Sequence, residues 1–211
     1  MGNNGGVNTA PTSARRPGRP GYDRETLLDT IIEVFTTHGY DAASLDMLAR
    51  RLGISKAALY HHFDSKEQML DLALERALGP LEQLFRDAPA GPAENKIRHI
   101  IHGAVIIASE QQRALTLLLR VYGNTDAERR ATGRRRALTN ELHELFAASA
   151  AEGTLRNDLD PWLAARFTFG LVNSLVEWYR PGGEISPEGL ADAVLAYVRT
   201  GLRMSETGDF R

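Results

Sequence analysis

The stretch SLDMLARRLGISKAALYHHFDSKEQML, Ser44 to Leu70, decides how this chain folds. A serine stands ahead of each of two short runs with helical apolar spacing. Its hydroxyl can accept a hydrogen bond from the first turn, so Ser44 predicts a helix through Leu52 and Ser55 a second through about His62. Gly53-Ile54 interrupts the period between them, and Gly53 occupies a tight turn that calls for positive φ. Ala49 falls where the two helices cross and only a small side chain allows close approach. Leu45, Leu48, Leu52, Ile54, Leu59 and Phe63 form the apolar set that holds the pair against a preceding helix.

What this leaves outward on the second short helix is Ser55, Lys56, Ala57, Ala58, Tyr60, His61 and His62. A helix of about two turns fits a major groove roughly 12 Å wide, with its N-terminal residues at the base edges. Lys56 can donate to guanine acceptors or to phosphate, and Ala57 or Ala58 can touch a thymine methyl. Ser44, Tyr60, His61 and Lys66 are placed to hold phosphates, which fixes register without reading sequence. The alternative is a helix pair that binds a protein, with these side chains merely solvated.

Outward from this stretch the chain is punctuated into further helices. Asp23 can cap a helix over about 24 to 38 that carries Leu27-Leu28, Ile31-Ile32 and Phe35 and stops at Gly39. Ser65 with Gln68 makes a capping box that opens a fourth helix, which Gly79-Pro80 should kink or end. Later segments are expected over about 92 to 109, 111 to 122, 125 to 152, 161 to 180 and 187 to 203. No stretch alternates with period two for long enough to suggest a sheet, so the expected fold class is all-α. Residues 1 to 20 are rich in Gly, Asn, Pro, Ser and Thr and read as a disordered basic arm. Arg15, Arg16 and Arg19 in that arm could lie in a minor groove or remain a solvated tail.

The 211 residues carry a formal net charge of −2, so no global positive field announces a nucleic-acid partner and any such surface is local. With 43% hydrophobic residues the chain can bury a core. Cys is absent, which excludes disulfides and thiolate metal sites. No secretory leader and no membrane-spanning apolar run is evident, and a soluble cytoplasmic protein with no membrane partner is expected. An enzyme is not expected, because no nucleophile with an adjacent base, Gly-rich phosphate loop or metal set appears. No cofactor is expected.

The segment TLLDTIIEVFTTHGYDAASLDMLARRLGISKAALYHHFDSKEQML, within about residues 22 to 72, resembles the N-terminal domain of TetR/AcrR-family transcriptional regulators. The resemblance implies an all-helical homodimer that binds a palindromic operator and usually represses. It places the family's recognition helix on Ser55 to His62, its backbone-contacting Tyr on Tyr60 with His61 beside it, and its fourth-helix Lys on Lys66. The expected organisation is a helix-turn-helix domain over 21–66 and a ligand-binding and dimerisation domain over 67–211.

In the second of these domains, helix 161 to 180 is apolar nearly all round and must be covered on two sides. In the family the last two long helices pair with their twins as a four-helix bundle. Here that implies an interface from Trp162, Phe167, Leu171, Leu175, Tyr179, Val194, Tyr197 and Val198; a wholly intrachain core is the alternative. The three preceding helices are implied to enclose an effector cavity lined by Ile101, Val105, Leu118, Leu119, Leu142, Phe146, Phe169, Asn173 and Trp178, any of which could instead be plain core.

His99 and His102 share a helical face, but without Cys or a carboxylate at matching spacing they read as cavity-wall or surface residues, and no metal is expected. The arginines Arg129, Arg130, Arg134, Arg135 and Arg136 form either a solvated face or a contact for an anionic ligand tail. The segments WYRPGG and SPEGLAD are similar to a TetR subgroup whose effectors are CoA thioesters. The implied effector is a small hydrophobic molecule, either a CoA thioester or a free hydrophobic drug or acid. A helical interaction adaptor that has lost DNA binding is the rival class.

Overall fold

A computed structural model describes Met1, residues 23–156 and residues 158–202. Arg15, Arg16 and Arg19 lie outside the described residues. Among the described residues the chain forms nine helices and no strand: α1 (Arg24–His38), α2 (Leu45–Leu52), α3 (Lys56–His62), α4 (Lys66–Arg86), α5 (Ala93–Glu110), α6 (Gln112–Arg120), α7 (Asp126–Ala151), α8 (Pro161–Trp178) and α9 (Pro187–Leu202).

The local signals act where the sequence puts them. Asp23 accepts from the Thr26 N–H at 2.8 Å, Ser44 from Met47 and Ser55 from Ala58 at 3.1 Å, and Ser65 from Gln68 at 3.0 Å. The Gln68 side chain reaches back to the N–H of Asp64 at 2.7 Å, one residue beyond the position a capping box would use. Gly53 is left-handed at φ 67° and ψ 28°, and the Ile54 N–H returns to the Ala49 carbonyl at 3.1 Å, which ends α2 and turns the chain into α3.

The head of the molecule is built on α1. Leu27, Ile31 and Phe35 from α1 are buried with Leu48, Leu59, Phe63, Met69 and Leu70, so α2, α3 and the first turns of α4 share one core. Leu45 and Ile54 pack at its edge.

In the rest of the chain α5 lies between α4, α7, α8 and α9, and α7 runs along both α4 and α8. α5 and α4 come close at Gly103, where a Cβ would stand 2.3 Å from Leu84 Cδ1. Of the two outcomes expected at Gly79-Pro80, a kink or an end, the end does not occur: α4 runs through the pair. It continues to Arg86 because Leu81, Leu84 and Phe85 beyond the proline pack into the same core. An interior proline costs a helix about 3 kcal/mol, which burial of such side chains can offset.

Two of the residues expected at a dimer interface are corrected by burial. Leu175 is inaccessible, and Tyr179 is buried with its hydroxyl on the Ile185 carbonyl at 3.1 Å, so both belong to the chain's own core. Val194 and Val198 are also largely buried.

No helix among the described residues is long and apolar enough to cross a membrane.

Candidate nucleic-acid interface and ligand cleft

The described residues expected to meet DNA lie at the start of α2, along α3 and at the start of α4. Ser44, Ser55, Lys56, Ala57, Tyr60 and His61 are exposed and Ala58 is half-buried. The two serines are already committed to capping through their hydroxyls. Lys56 Nζ stands 2.8 Å from Asp46 Oδ1 of α2, with about half of each side chain open to solvent. A pair this exposed is worth little, so the ammonium can leave it for a stronger acceptor. His61 and His62 meet edge to face at 5.6 Å.

Lys66 is less open than its position in sequence suggested. Its Nζ lies 4.3 Å over the Tyr40 ring and 3.5 Å from the Asp41 carbonyl, and burial pulls its pKa below the ordinary lysine value. The same burial pushes the Tyr40 hydroxyl upward. Arg24, which sequence reasoning did not select, lies 5.6 Å over the Phe63 ring at the far end of α3. Its only signal in the sequence was a cation directly after the Asp23 cap.

Away from the head, a cleft of about 520 Å³ opens between α4, α6, α7 and α8. Leu81, Leu115, Leu118, Leu119, Leu138, Phe169 and Gly170 form its apolar wall, with Thr139 and Asn173 between them. Three arginines face it, Arg135, Arg136 and Arg166, and no carboxylate does among its described lining residues. Arg135 donates to the Leu118 carbonyl at 3.0 Å; burial, and then the charge of Arg136, lower its pKa. The Arg166 guanidinium lies 4.7 Å over the Trp162 ring. A concentration of positive charge beside an apolar wall suits an anion that carries a hydrophobic group.

The residues expected to line an effector cavity divide. Leu118, Leu119, Phe169 and Asn173 line this cleft. Ile101 and Phe146 border a separate void of only about 40 Å³ between α5, α7 and α9. Val105 and Leu142 are sealed in the core with no exposed surface and Trp178 is 50% exposed, and none of the three lines this cleft. Arg166 was missed. Its signal was a single cation in a helix otherwise nearly all apolar.

The arginine run of α7 also divides. Arg129 pairs with Asp126, Arg130 with Asp71 at 2.6 Å, and Arg134 with Glu75 and Glu82 of α4 at 2.6 and 2.7 Å. Only Arg135 and Arg136 of the run turn to the cleft.

Phe167, 63% exposed, and Tyr197, 73% exposed, border an apolar groove of about 490 Å³ between α8 and α9 with Leu171 and Val198. Trp162 is half exposed at the start of α8. Exposed aromatic side chains gathered on one face are uncommon unless something covers them. His99 and His102 border another groove; His102 Nε2 is 3.9 Å from Asp192, and no group of three ligands suited to a metal ion occurs among the described residues.

A serine-capped helix pair with a left-handed glycine turn, carried on an all-helical body, is the architecture of a helix-turn-helix transcriptional regulator. Residues 27–73 match the family described as bacterial regulatory proteins of the tetR family, and residues 90–202 match the tetracyclin repressor-like C-terminal domain. The chain is 30% identical to the HTH-type transcriptional repressor KstR2 of Rhodococcus jostii over 203 residues, covering 92% of this chain and 97% of that protein. The crystal structure of SCO3833, a TetR-family member from Streptomyces coelicolor, matches with a TM-score of 0.79 at 39% identity, covering 85% of this chain and 92% of that one. The ketosteroid transcriptional regulator KstR2 of Mycobacterium tuberculosis shares the fold with a TM-score of 0.79 at 24% identity, over 90% of this chain and all of that one.

The chain belongs to the TetR family. It is a DNA-binding transcriptional regulator and not an enzyme. Regulators of this family bind operator DNA, dimerise and bind small-molecule effectors.

Proposed function

We propose that this protein is a homodimeric repressor, released from a palindromic operator when an amphipathic anion, foremost an acyl-CoA thioester, fills the cleft beside Arg135. Residues 21–66 act as the reading head and 67–211 as the body that senses ligand and dimerises. In the head, Lys56, Ala57 and Ala58 enter the major groove, while Ser44, Ser55, Tyr60, His61 and Lys66 hold the backbone. Lys56 exchanges Asp46 for DNA, so its ion pair is a resting contact that limits weak binding elsewhere. Phe167, Tyr197 and the apolar groove they border meet a second copy, since a two-fold operator calls for a two-fold protein.

The observation that carries the effector reading is the charge of the cleft: three arginines, an apolar wall and no carboxylate among the described lining. Phosphates answer the arginines and an acyl group answers Leu115, Leu118 and Phe169. A free acid offers one charge in place of several, and a neutral drug offers none. Repression accords with the name of the Rhodococcus jostii relative, which is a repressor.

Linkage makes the two ligands opponents: filling the cleft tilts α4 until the heads no longer sit about 34 Å apart, one turn of DNA. The test is an operator titration at rising salt with and without acyl-CoA, the free acid and CoA alone. Affinity should fall steeply with salt and fall further with acyl-CoA. Release by the free acid at equal concentration would make it the effector, and indifference to salt and to all three would sink the proposal.

A further inference from the structure

α4 is continuous from Lys66 to Arg86 although it contains Gly79 and Pro80. Pro80 has no N–H for the Arg76 carbonyl and its ring crowds that carbonyl, while glycine is a poor helix former, so the helix is weakest at this joint. Its two halves are held by different neighbours. Ahead of the joint, Arg76 pairs with Glu25 and Asp29 of α1, which ties that half to the head. Beyond it, Leu81 lines the arginine-bearing cleft, and Phe85 stacks on Phe169 of α8 at 6.5 Å, which ties that half to the body.

We infer that Arg134 is a positioning residue that splints the Gly79-Pro80 joint and sets the angle between the head half and the body half of α4. From α7 it donates through Nη1 to Glu75 Oε2 at 2.6 Å, before the proline. It also donates through Nε and Nη2 to the two Glu82 oxygens at 2.7 and 2.9 Å, after it. Among the described residues no other side chain outside α4 hydrogen-bonds to both sides of the joint. A guanidinium is rigid and planar, so its three bonds hold two carboxylates, two helical turns apart on one face, at a set separation. A Cβ at Gly79 would stand 2.8 Å from Glu75 Oε1, so the end of that side chain would have to shift to admit it. The Arg134 hydrogen bonds hold the Glu82 carboxyl below its ordinary pKa.

The splint is placed to feel the cleft. Arg135, the next residue, lines the cleft and is hydrogen-bonded to the Leu118 carbonyl. An anion that draws on Arg135 and Arg136 therefore shifts the backbone that carries Arg134. This last link rests on the effector reading above, whereas the splint itself does not.

The test is hydrogen exchange on the full chain without DNA or ligand, read at the amides of Leu81 to Leu84, whose bonds run to carbonyls at and before the joint. Arg134→Ala should speed exchange there about tenfold, and less than about twofold in a Pro80→Ala background, where the intact helix needs no splint. Arg134→Lys should resemble Arg134→Ala, because an ammonium cannot span both carboxylates. If Arg134→Ala does not fold, Glu82→Gln supplies the same comparison with a smaller effect. Equal acceleration in both backgrounds, acceleration confined to α7, or full protection by lysine would overturn the inference. Operator release by acyl-CoA is measured separately on the unaltered protein. Its failure removes the effector reading and leaves the splint standing, and failure of the exchange test does the reverse.

Discussion

In the head, the groups proposed to touch DNA fall between Ser44 and Lys66, and their placement follows from two serine caps and one left-handed glycine. In the body, the cleft takes Leu81 from α4, Leu115 from α6, Arg135 from α7 and Arg166 from α8, residues far apart along the chain. The head is a site made by short-range rules, and its geometry survives changes elsewhere as long as α1 and α4 back it. The body's site exists only when four helices pack, so it is where a small molecule can alter the structure by changing how they pack. A regulator needs one region of each kind.

The sharpest way to break this contrast is at the head. Lys56→Ala with Tyr60→Ala should abolish operator binding while circular dichroism and subunit mass stay unchanged; retained regulation in cells with that double change would favour the interaction-adaptor reading. Next in size is the exposed aromatic face. Phe167→Asp should raise the dimer dissociation constant by about a hundredfold or more, read by analytical ultracentrifugation, since a charge in an apolar interface is left unpaired. An unchanged assembly would move the interface elsewhere.

The cleft is predicted to be separable from the head. Arg135→Ala should weaken acyl-CoA binding about tenfold, the loss of one charge-assisted contact, and leave ligand-free operator affinity within about twofold. Calorimetry and gel shift on the same samples distinguish the two. Gly53→Ala probes the short-range rule itself. It should cost about 1–2 kcal/mol in denaturant unfolding, because alanine is strained at φ 67°.

The smallest effect is the pH response of the α4–α7 contact. The Arg134 hydrogen bonds hold the Glu82 carboxyl below its ordinary 4.5. A depressed folded-state pKa means that this contribution is complete above about pH 4.5 and is lost as pH falls through the lower folded value. Glu82→Gln should therefore flatten the acid side of the thermal stability curve and leave it nearly parallel to the parent above pH 6. An acid limb of unchanged steepness would show that Glu82 is not one of the groups protonated on unfolding.

Helix starts were legible wherever a cap lay within three residues of its N–H, as at Asp23, Ser44, Ser55 and Ser65. At Pro80 the sequence left a kink or an end open, and α4 does not end there because the side chains that carry it past the proline find partners on α5 and α8. Leu175, Tyr179, Val105 and Leu142 were expected at surfaces because the family resemblance places an interface and a cavity on their helices and they are apolar, and neither says whether the surface that covers each one comes from the same chain. Within the arginine run of α7, nothing in the order of residues distinguishes Arg134, which pairs with α4, from Arg135, which turns to the cleft. The angular position of each side chain on α7 decides that, and it has meaning only once α4 and α8 are in place.

The amino-acid order alone therefore settled the helices, the turn at Gly53 and the exposed strip from Ser44 to His61, because hydrogen bonds and steric limits across a few residues specify them. Which arginines face a ligand, which aromatics stay open to solvent, and how a proline can sit inside an unbroken lever were decided by packing. Those outcomes depend on atoms brought together from distant segments, whose contacts are formed only when the whole core closes.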